Sequence, residues 1–320
     1  MSFANKSNIS VIFPGQGSQY VGMGKVLYDK YPIAKKFFDL ADDTLGVYLS
    51  KLCFEGDIAE LTKTYNAQPA LLTVSYIMYQ VYVKASGLKP ISLLGHSLGE
   101  ITALVCTNAI DFKDALKLVK NRGLYMQDCA DKNKGSMLAV FFDDFKLINE
   151  LCNAISNEEM VLDIANYNSN NQIVVAGDIK ALNTLRDSLK QKNIKSMFLN
   201  VSAPFHSSIM KPAADKFYTE LNKYNYRSID VPVISNLTGD IYPSQNSISQ
   251  ILSKQMVSPV RWLQSVKKAC NLETDLFLEV GPKCVLKNLN KNICPNIKTL
   301  SLDLEKDVNC FQDILGIKND

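Results

Sequence analysis

The chain contains 320 residues, which is enough for two domains or for one large domain with an insertion. Hydrophobic residues make up 47% and charged residues 21%, an ordinary globular composition that excludes a disordered or collagen-like chain. The 35 basic residues exceed the 32 acidic ones by so little that nucleic acid is not an expected partner.

The residue types that are scarce also narrow the function. Only two histidines occur, His96 and His206, so a histidine-rich metal site cannot be built. Eight cysteines without a CxxC pair indicate reduced thiols and not a disulfide scaffold. No apolar run approaches the ~18–20 residues that cross a bilayer, and the N-terminus lacks the apolar core of a secretory signal. We expect a monomer that acts without a membrane in the cytoplasm, or in an organelle matrix if a transit peptide has been removed.

The first part of the chain predicts a parallel α/β sheet. The apolar strand Ile9–Phe13 runs into a glycine-containing turn, and a second strand, Ile91–Leu94, runs into another. Helices are predicted over 33–41, over 68–85, from Glu100 onward, and over 112–130 with Asp111 as its N-cap. Turns that follow parallel strands lie at the sheet edge where α/β folds bind ligands. The glycine spacing fits neither a dinucleotide-binding fingerprint nor a P-loop.

The middle of the chain has a different order of elements. Strands are predicted over 137–141, 162–167, 172–176 and 196–201, with helices over 144–155 and 180–191. The order β-α-β-β-α-β is that of a ferredoxin-like unit. Two further buried strands, Val231–Ser235 and Leu276–Val280, belong to the first sheet. The sequence therefore predicts a large α/β core of residues 1–129 and 204–320, interrupted by a small α+β subdomain of residues 130–203.

The pattern GxSxG at 95–99 lies between a predicted strand and a predicted helix, as in a nucleophile elbow. A sharp turn there exposes the Ser97 hydroxyl, and the flanking glycines let neighbouring backbone come close. The start of the new helix adds unpaired N–H groups near a developing oxyanion. The alternative is a simple tight turn without chemistry.

A nucleophilic serine needs a base, and the chain offers two imidazoles. His96 is adjacent to Ser97, and adjacent residues at an elbow point in different directions. If Ser97 is a nucleophile, His206 is therefore its candidate base, in the serine-before-histidine order of α/β-hydrolases. The alternative for His206 is a structural polar residue. No acidic third member is evident, although Glu279 and Asp275 lie near a late strand.

Arg122 lies on the apolar face of its predicted helix. Leu118, Val119 and Met126 share that face at helical spacing. An arginine in this position either pairs with a fixed acidic residue or grips a substrate carboxylate with its planar guanidinium.

Seven blocks of the sequence resemble the malonyl-CoA:acyl carrier protein transacylases and the related acyltransferase domains of fatty acid and polyketide synthesis. They occur in the family's order over nearly the whole chain: GQGSQ at 15–19, GHSLGE at 95–100, NRG at 121–123, ANYNS at 165–169, SAPFHSS at 202–208, Gln255 with SPVRW at 258–262, and EVGP at 279–282. The resemblance implies a hydrolase-like parallel-sheet core with an inserted ferredoxin-like subdomain. It also implies transfer of malonyl groups from malonyl-CoA to acyl carrier protein, without a metal or redox cofactor.

The resemblance further implies a role for each site residue. Ser97 would be acylated, His206 would be its base, and Arg122 would hold the malonyl carboxylate. The backbone N–H groups of Gln16 and Leu98 would form the oxyanion hole. The remaining implied contributions are support of the site by Gln255 and orientation of the histidine by backbone carbonyls.

Two positions depart from the family's pattern, and two other functions stay open. Asn170 stands where the family often has proline, and Lys283 where it often has glycine. One alternative is a hydrolase that releases acids from CoA or carrier thioesters. The other is a carrier-binding scaffold that has lost catalysis, which the presence of Ser97, His206 and Arg122 argues against.

Overall fold

A computed structural model describes residues 8–84, 87–201 and 203–303. Its first half comprises the strands and helices β1 Ile9–Phe13, α1 Lys25–Lys30, α2 Pro32–Leu45, α3 Leu49–Glu55, α4 Ile58–Thr62, α5 Thr64–Met78, β2 Ser92–Gly95, α6 Leu98–Cys106, α7 Phe112–Lys132, β3 Gly135–Phe141 and α8 Phe145–Ile155. The remaining elements are β4 Leu162–Ser169, β5 Gln172–Asp178, α9 Ile179–Gln191, β6 Lys195–Phe198, α10 Lys211–Leu221, β7 Val233–Ile234, α11 Ile248–Gln255, α12 Trp262–Asn271, β8 Leu276–Val280, α13 Val285–Ile293 and β9 Lys298–Leu302.

The larger sheet has five parallel strands in the order β7-β2-β1-β8-β9. All five residues of β1 are buried, as expected for a parallel strand whose two faces are both covered. The one polar residue in that strand, Ser10, is satisfied by hydrogen bonds of 2.7 Å to Ser92 and to Thr274. The predicted α/β class is confirmed. Strand β7 is shorter than the predicted Val231–Ser235.

The smaller sheet has four antiparallel strands in the order β4-β5-β3-β6. Together with α8 and α9 it makes the predicted ferredoxin-like arrangement. Residues of β3 alternate between the two faces of the sheet. Leu138 and Val140 pack in the cluster formed with the two helices, whereas Met137 and Ala139 belong to a separate cluster. The division of the chain at residues 130 and 203 stays a prediction.

The predicted helices are present with shifted ends. Helix α5 begins at Thr64 and ends at Met78, and one π-helical turn, Tyr79–Lys84, continues it. Ala85, the last residue of that predicted helix, lies outside the described residues. The predicted N-cap of α7 is confirmed, because Asp111 accepts a hydrogen bond of 2.9 Å from the Lys113 amide. In the described ranges, every helix is too short or too polar to span a membrane.

Candidate active site

Ser97 stands at the sharp turn between β2 and α6. Its backbone has φ 53° and ψ −100°, a conformation that L-residues rarely adopt. Both flanking positions require glycine, because neighbouring backbone lies too close for a side chain. A Cβ added at Gly95 would lie 2.0 Å from the carbonyl carbon of Gly99, and one added at Gly99 would lie 2.1 Å from the Phe13 carbonyl oxygen. The local structure is therefore the predicted elbow and not an ordinary turn.

The hydroxyl of Ser97 lies 2.8 Å from Nε2 of His206. The other ring nitrogen, Nδ1, lies 2.8 Å from the backbone carbonyl of Gln255. Because a carbonyl only accepts, Nδ1 carries the proton and Nε2 is left as the acceptor for the serine hydroxyl. A backbone carbonyl thus orients the imidazole, in the place where hydrolases commonly use an acid.

Two main causes lower the pKa of His206. Burial is the larger, and the positive charge of Arg122 adds to it, so that the pKa of His206 falls to about 3. A neutral imidazole can accept the serine proton. An anion bound to Arg122 would offset the second cause and raise the pKa of the imidazole toward the range of an effective base.

Arg122 extends from α7 and is 1% exposed. Its Nη1 donates to Gln68 Oε1 at 2.9 Å, and its Nη2 donates to Gln255 Oε1 at 2.9 Å and to Ser97 Oγ at 3.2 Å. Within the described part of the chain, its Nε has no hydrogen-bond partner. Burial lowers the pKa of this guanidinium to about 10. The cation is thus held by neutral groups and retains a donor for an anionic ligand, which favours the second of the two interpretations made from the sequence.

Gln255 connects the parts of the site. Its Nε2 donates to the backbone carbonyl of Ser97 at 3.1 Å and to Glu100 Oε2 at 2.7 Å. Glu100 also accepts from the Asn236 amide at 2.9 Å and from the hydroxyl of Tyr242. Burial raises the pKa of the Glu100 carboxyl. Sequence reasoning named Gln255 but missed Glu100, although this residue ends the motif at 95–100.

Two more polar residues of the site were missed. Asn236, just after β7, accepts from the Ser97 amide at 2.6 Å and donates to the Gly95 carbonyl at 2.8 Å, which fixes the elbow from the neighbouring strand. Gln68 holds one arm of Arg122 from α5. The only available signal for Gln68 was a polar side chain in a largely apolar helix, and Asn66 in the same helix carries the same signal.

A cavity of about 400 Å³ lies beside Ser97, between the two sheets. Ser97 and Leu98, which follow β2, line it on the side of the larger sheet, and Met137 and Val174 line it on the side of the smaller sheet. Leu98 is the first residue of α6, so its N–H has no partner inside the helix. Gln16 lines the same cavity from the turn after β1. Both predicted oxyanion-hole residues are therefore at the wall that holds the serine.

The remaining candidates lie elsewhere. Glu279 accepts hydrogen bonds from the Leu286 and Lys287 amides at the start of α13, and Asp275 accepts from the Asn8 amide. Neither acidic residue orients His206.

His96 lines the same cavity but makes its hydrogen bond to another residue than the serine. Its Nε2 lies 3.1 Å from Asn168 Oδ1.

The two departures from the family's pattern are at exposed contacts. Lys283 has φ 61°, the left-handed region that glycine adopts without cost. Asn170 donates to the Asn292 carbonyl at 2.7 Å.

Metal ligands do not gather at the site. Across 8–84, 87–201 and 203–303 there is no group of three or more His, Cys, Asp or Glu side chains placed to hold an ion. The chemistry open to these residues is that of a serine activated by a neutral histidine beside a buried cation. Such an arrangement suits acyl transfer through the serine.

Comparison with known proteins agrees with this class. The sequence profile described as acyl transferase domain matches residues 11–301, and the chain belongs to this family. The malonyl CoA-acyl carrier protein transacylase of Bacillus subtilis strain 168 is 40% identical over 315 residues, which are 98% of this chain and 99% of that protein. The resemblance found in the sequence is thereby confirmed.

Solved structures extend the agreement to the fold. A malonyl CoA-acyl carrier protein transacylase from Coxiella burnetii has a TM-score of 0.93 at 33% identity, covering 98% of this chain and 99% of that one. A malonyl-transacylase solved in complex with its type II polyketide synthase acyl-carrier protein has a TM-score of 0.92 at 34% identity, covering 98% and 100%.

Proposed function

We propose that this enzyme transfers the malonyl group of malonyl-CoA to the phosphopantetheine thiol of an acyl carrier protein through a malonyl-Ser97 intermediate, and that it supplies fatty acid biosynthesis. The observation that carries the proposal is the pair of contacts made by Ser97 Oγ, with His206 Nε2 at 2.8 Å and with Arg122 Nη2 at 3.2 Å. One contact provides a base and the other a cation beside the nucleophile.

In the first half-reaction the malonyl carboxylate binds the guanidinium of Arg122. Ser97 Oγ attacks the thioester carbon as its proton passes to His206 Nε2. The N–H groups of Gln16 and Leu98 stabilise the oxyanion that forms. The C–S bond then breaks, and the departing CoA sulfur takes the proton from Nε2, which leaves the malonyl ester on Ser97.

The second half-reaction reverses these roles. The carrier's pantetheine thiol gives its proton to His206 and attacks the ester carbon, and Ser97 leaves with that proton. Splitting the transfer in two lets one pocket serve both thiols in turn.

An adjoining cavity supports the assignment of thioester substrates. It has a volume of about 650 Å³ and shares Gln16, Leu199 and Phe205 with the reaction cavity. We assign the pantetheine arm of either thiol to it, because a long flexible arm needs a channel that leads to the serine. Its wall also includes Lys63, whose side chain is about half exposed.

The proposed chemistry uses residues of one chain and no metal or redox cofactor. Ser97, His206, Arg122 and Gln255 come from four segments of the same molecule, so a monomer suffices. The core of residues 1–129 and 204–320 contributes all four, and the subdomain of residues 130–203 closes the cavity over them.

Mass spectrometry tests the proposal directly. The enzyme mixed with malonyl-CoA should gain one malonyl group on the peptide that contains Ser97, and adding a carrier with its pantetheine arm should remove it. Ser97→Ala should keep its fold and gain no malonyl group. A malonyl group mapped to Cys106, which is buried at the far end of α6, would contradict the assignment. Release of free malonate in place of transfer would favour the hydrolase alternative.

A further inference from the structure

Two cysteines outside the site lie next to each other, each at the C-terminal end of a different helix. Cys270 lies near the end of α12, and Cys294 follows the last residue of α13. Their Sγ atoms are 2.6 Å apart, although 24 positions separate them in the sequence. A covalent S–S bond is about 2.05 Å long, so a shift of about half an ångström would join them.

The surroundings of the pair make it reachable by small reagents. Both side chains are partly exposed, whereas Cys53, Cys106, Cys129 and Cys152 are buried. Cys284 is exposed and precedes α13.

The helices that carry the pair are already packed together. Trp262 at the start of α12 donates from Nε1 to Asn290 Oδ1 in α13 at 3.1 Å. Helix α13 also reaches the reaction cavity, where Leu286 and Leu289 form part of the wall. A bond at the other end of these helices would therefore fix a wall of the cavity without adding an atom to it.

We propose that Cys270 and Cys294 form a reversible disulfide with low-molecular-weight disulfides as the oxidant, and that this bond staples α12 to α13 while leaving the cavity as it is. The thiolate of one of the two cysteines attacks the small disulfide and releases one small thiol, which gives a mixed disulfide on that cysteine. The other cysteine then attacks the protein sulfur of the mixed disulfide and releases the second small thiol. The two protein thiols lose two electrons and two protons, and both are recovered in the two small thiols.

Burial, together with the neighbouring Cys294 thiol, raises the pKa of Cys270. The thiolate is the attacking species, so the exchange begins when one of the two thiols loses its proton.

The bond should stabilise the chain without changing its activity. It would close a loop that contains β8, and closing a loop removes conformations from the unfolded state. The two sulfur atoms are already close, so α13 need not move when the bond forms. We expect a Tm higher by several degrees in the oxidised enzyme and a malonyl-transfer rate within about twofold of the reduced enzyme.

The test uses the full chain treated with oxidised glutathione, alkylated, digested and mapped. The expected result is a Cys270–Cys294 cross-linked peptide, a loss of two hydrogen atoms from the intact mass, and reversal by a reducing thiol. Cys270→Ser should retain one glutathione on Cys294. Cys284→Ser, the matched control at the other end of α13, should still form the cross-link.

Several outcomes would overturn the inference. These are a cross-link that uses Cys284 or Cys310, a stable glutathione adduct on the unchanged chain, and no rise in Tm after the expected cross-link. A loss of activity well beyond twofold would refute the statement that the cavity is left as it is. The peptide map and the Tm do not depend on malonyl transfer, so they test the disulfide separately from the proposed function.

Discussion

Arg122 and Glu100 do not bond to each other, yet the side-chain amide of Gln255 binds both. Its Oε1 accepts from the Arg122 guanidinium at 2.9 Å, and its Nε2 donates to the Glu100 carboxylate at 2.7 Å. A buried cation and a buried carboxylate are therefore joined through a neutral group. The guanidinium remains able to bind an anion, because no internal carboxylate pairs with it directly.

The substrate preference tests the role of Arg122. Replacing Arg122 with Ala should cost malonyl transfer about 2–5 kcal/mol, since it removes one partner of a buried charge pair. Acetyl transfer should fall much less, because an acetyl group has no carboxylate. Arg122→Lys should restore only part of the preference, since a point charge does not reproduce a two-pronged contact. The measurement is the ratio of malonyl to acetyl transfer. An unchanged ratio in Arg122→Ala would give this residue a structural role.

Glu100 should act as a positioning residue. Glu100→Gln sets an N–H₂ group against donors that now bind a carboxylate, which leaves buried groups unpaired at about 1–3 kcal/mol each. We expect a lower Tm and a kcat for malonyl transfer reduced more than KM is raised, because Gln255 also holds the histidine and the serine.

A matched control for Glu100 is available on α10. Glu220 is a buried carboxylate that accepts from Asn121 and Tyr224 and pairs with Lys223. Glu220→Gln should lower Tm with little effect on kcat. Equal effects of the two substitutions on kcat would show that Glu100 contributes only to stability.

The buried histidine should make stability depend on pH. In the folded chain the pKa of His206 is about 3, and the ordinary value is 6.5, so between these values the unfolded chain binds one more proton. The free energy of unfolding should therefore fall as the pH is lowered below 6.5, by at most about 1.4 kcal/mol per pH unit from this residue. His206→Gln should show a shallower fall. Denaturant titrations at pH 7.5 and pH 5 measure the fall in unfolding free energy for each chain. An equal fall in the original chain and in His206→Gln would show that His206 is not its cause.

The elbow should not tolerate a methyl group. In Gly99→Ala the added Cβ meets the Phe13 carbonyl oxygen at 2.1 Å, and backbone cannot move aside easily. We expect a loss of about 3 kcal/mol or more in unfolding free energy, together with loss of serine acylation.

The control for this substitution is Gly46→Ala. Gly46 has φ 64° and open space around it, so the change should cost only the ~1–2 kcal/mol of a left-handed residue. A Gly99→Ala chain as stable as Gly46→Ala would show that β1 and α6 can separate at little cost.

Three site residues could be predicted because the sequence itself marks them. Ser97 follows from the GxSxG spacing, His206 from the shortage of histidine, and Arg122 from its place on an apolar helical face. Both sheets followed from strand order, because apolar runs and turns are local properties of the chain.

The parts that were missed depend on contacts between distant segments. Asn236 and Gln68 are single polar residues without a spacing pattern, and their roles appear only when strands and helices are assembled. Glu100 belongs to a local motif, but burial and its bond to Gln255 cannot be read from spacing. Strand β9 escaped prediction because polar Thr299 and Ser301 occupy buried positions while Leu300 is only partly buried, so the sequence shows no apolar strand pattern.

The hydrogen bonds of Ser97 span very different distances along the chain. Its partners lie 25 residues away at Arg122, 109 at His206, 139 at Asn236 and 158 at Gln255. Contacts of such long range form late, because closing large loops is slow. Reactivity at this serine is therefore a property of the finished fold. During synthesis on the ribosome, a chain that has not yet exposed Gln255 has no oriented base, so such a nascent chain cannot consume acyl-CoA.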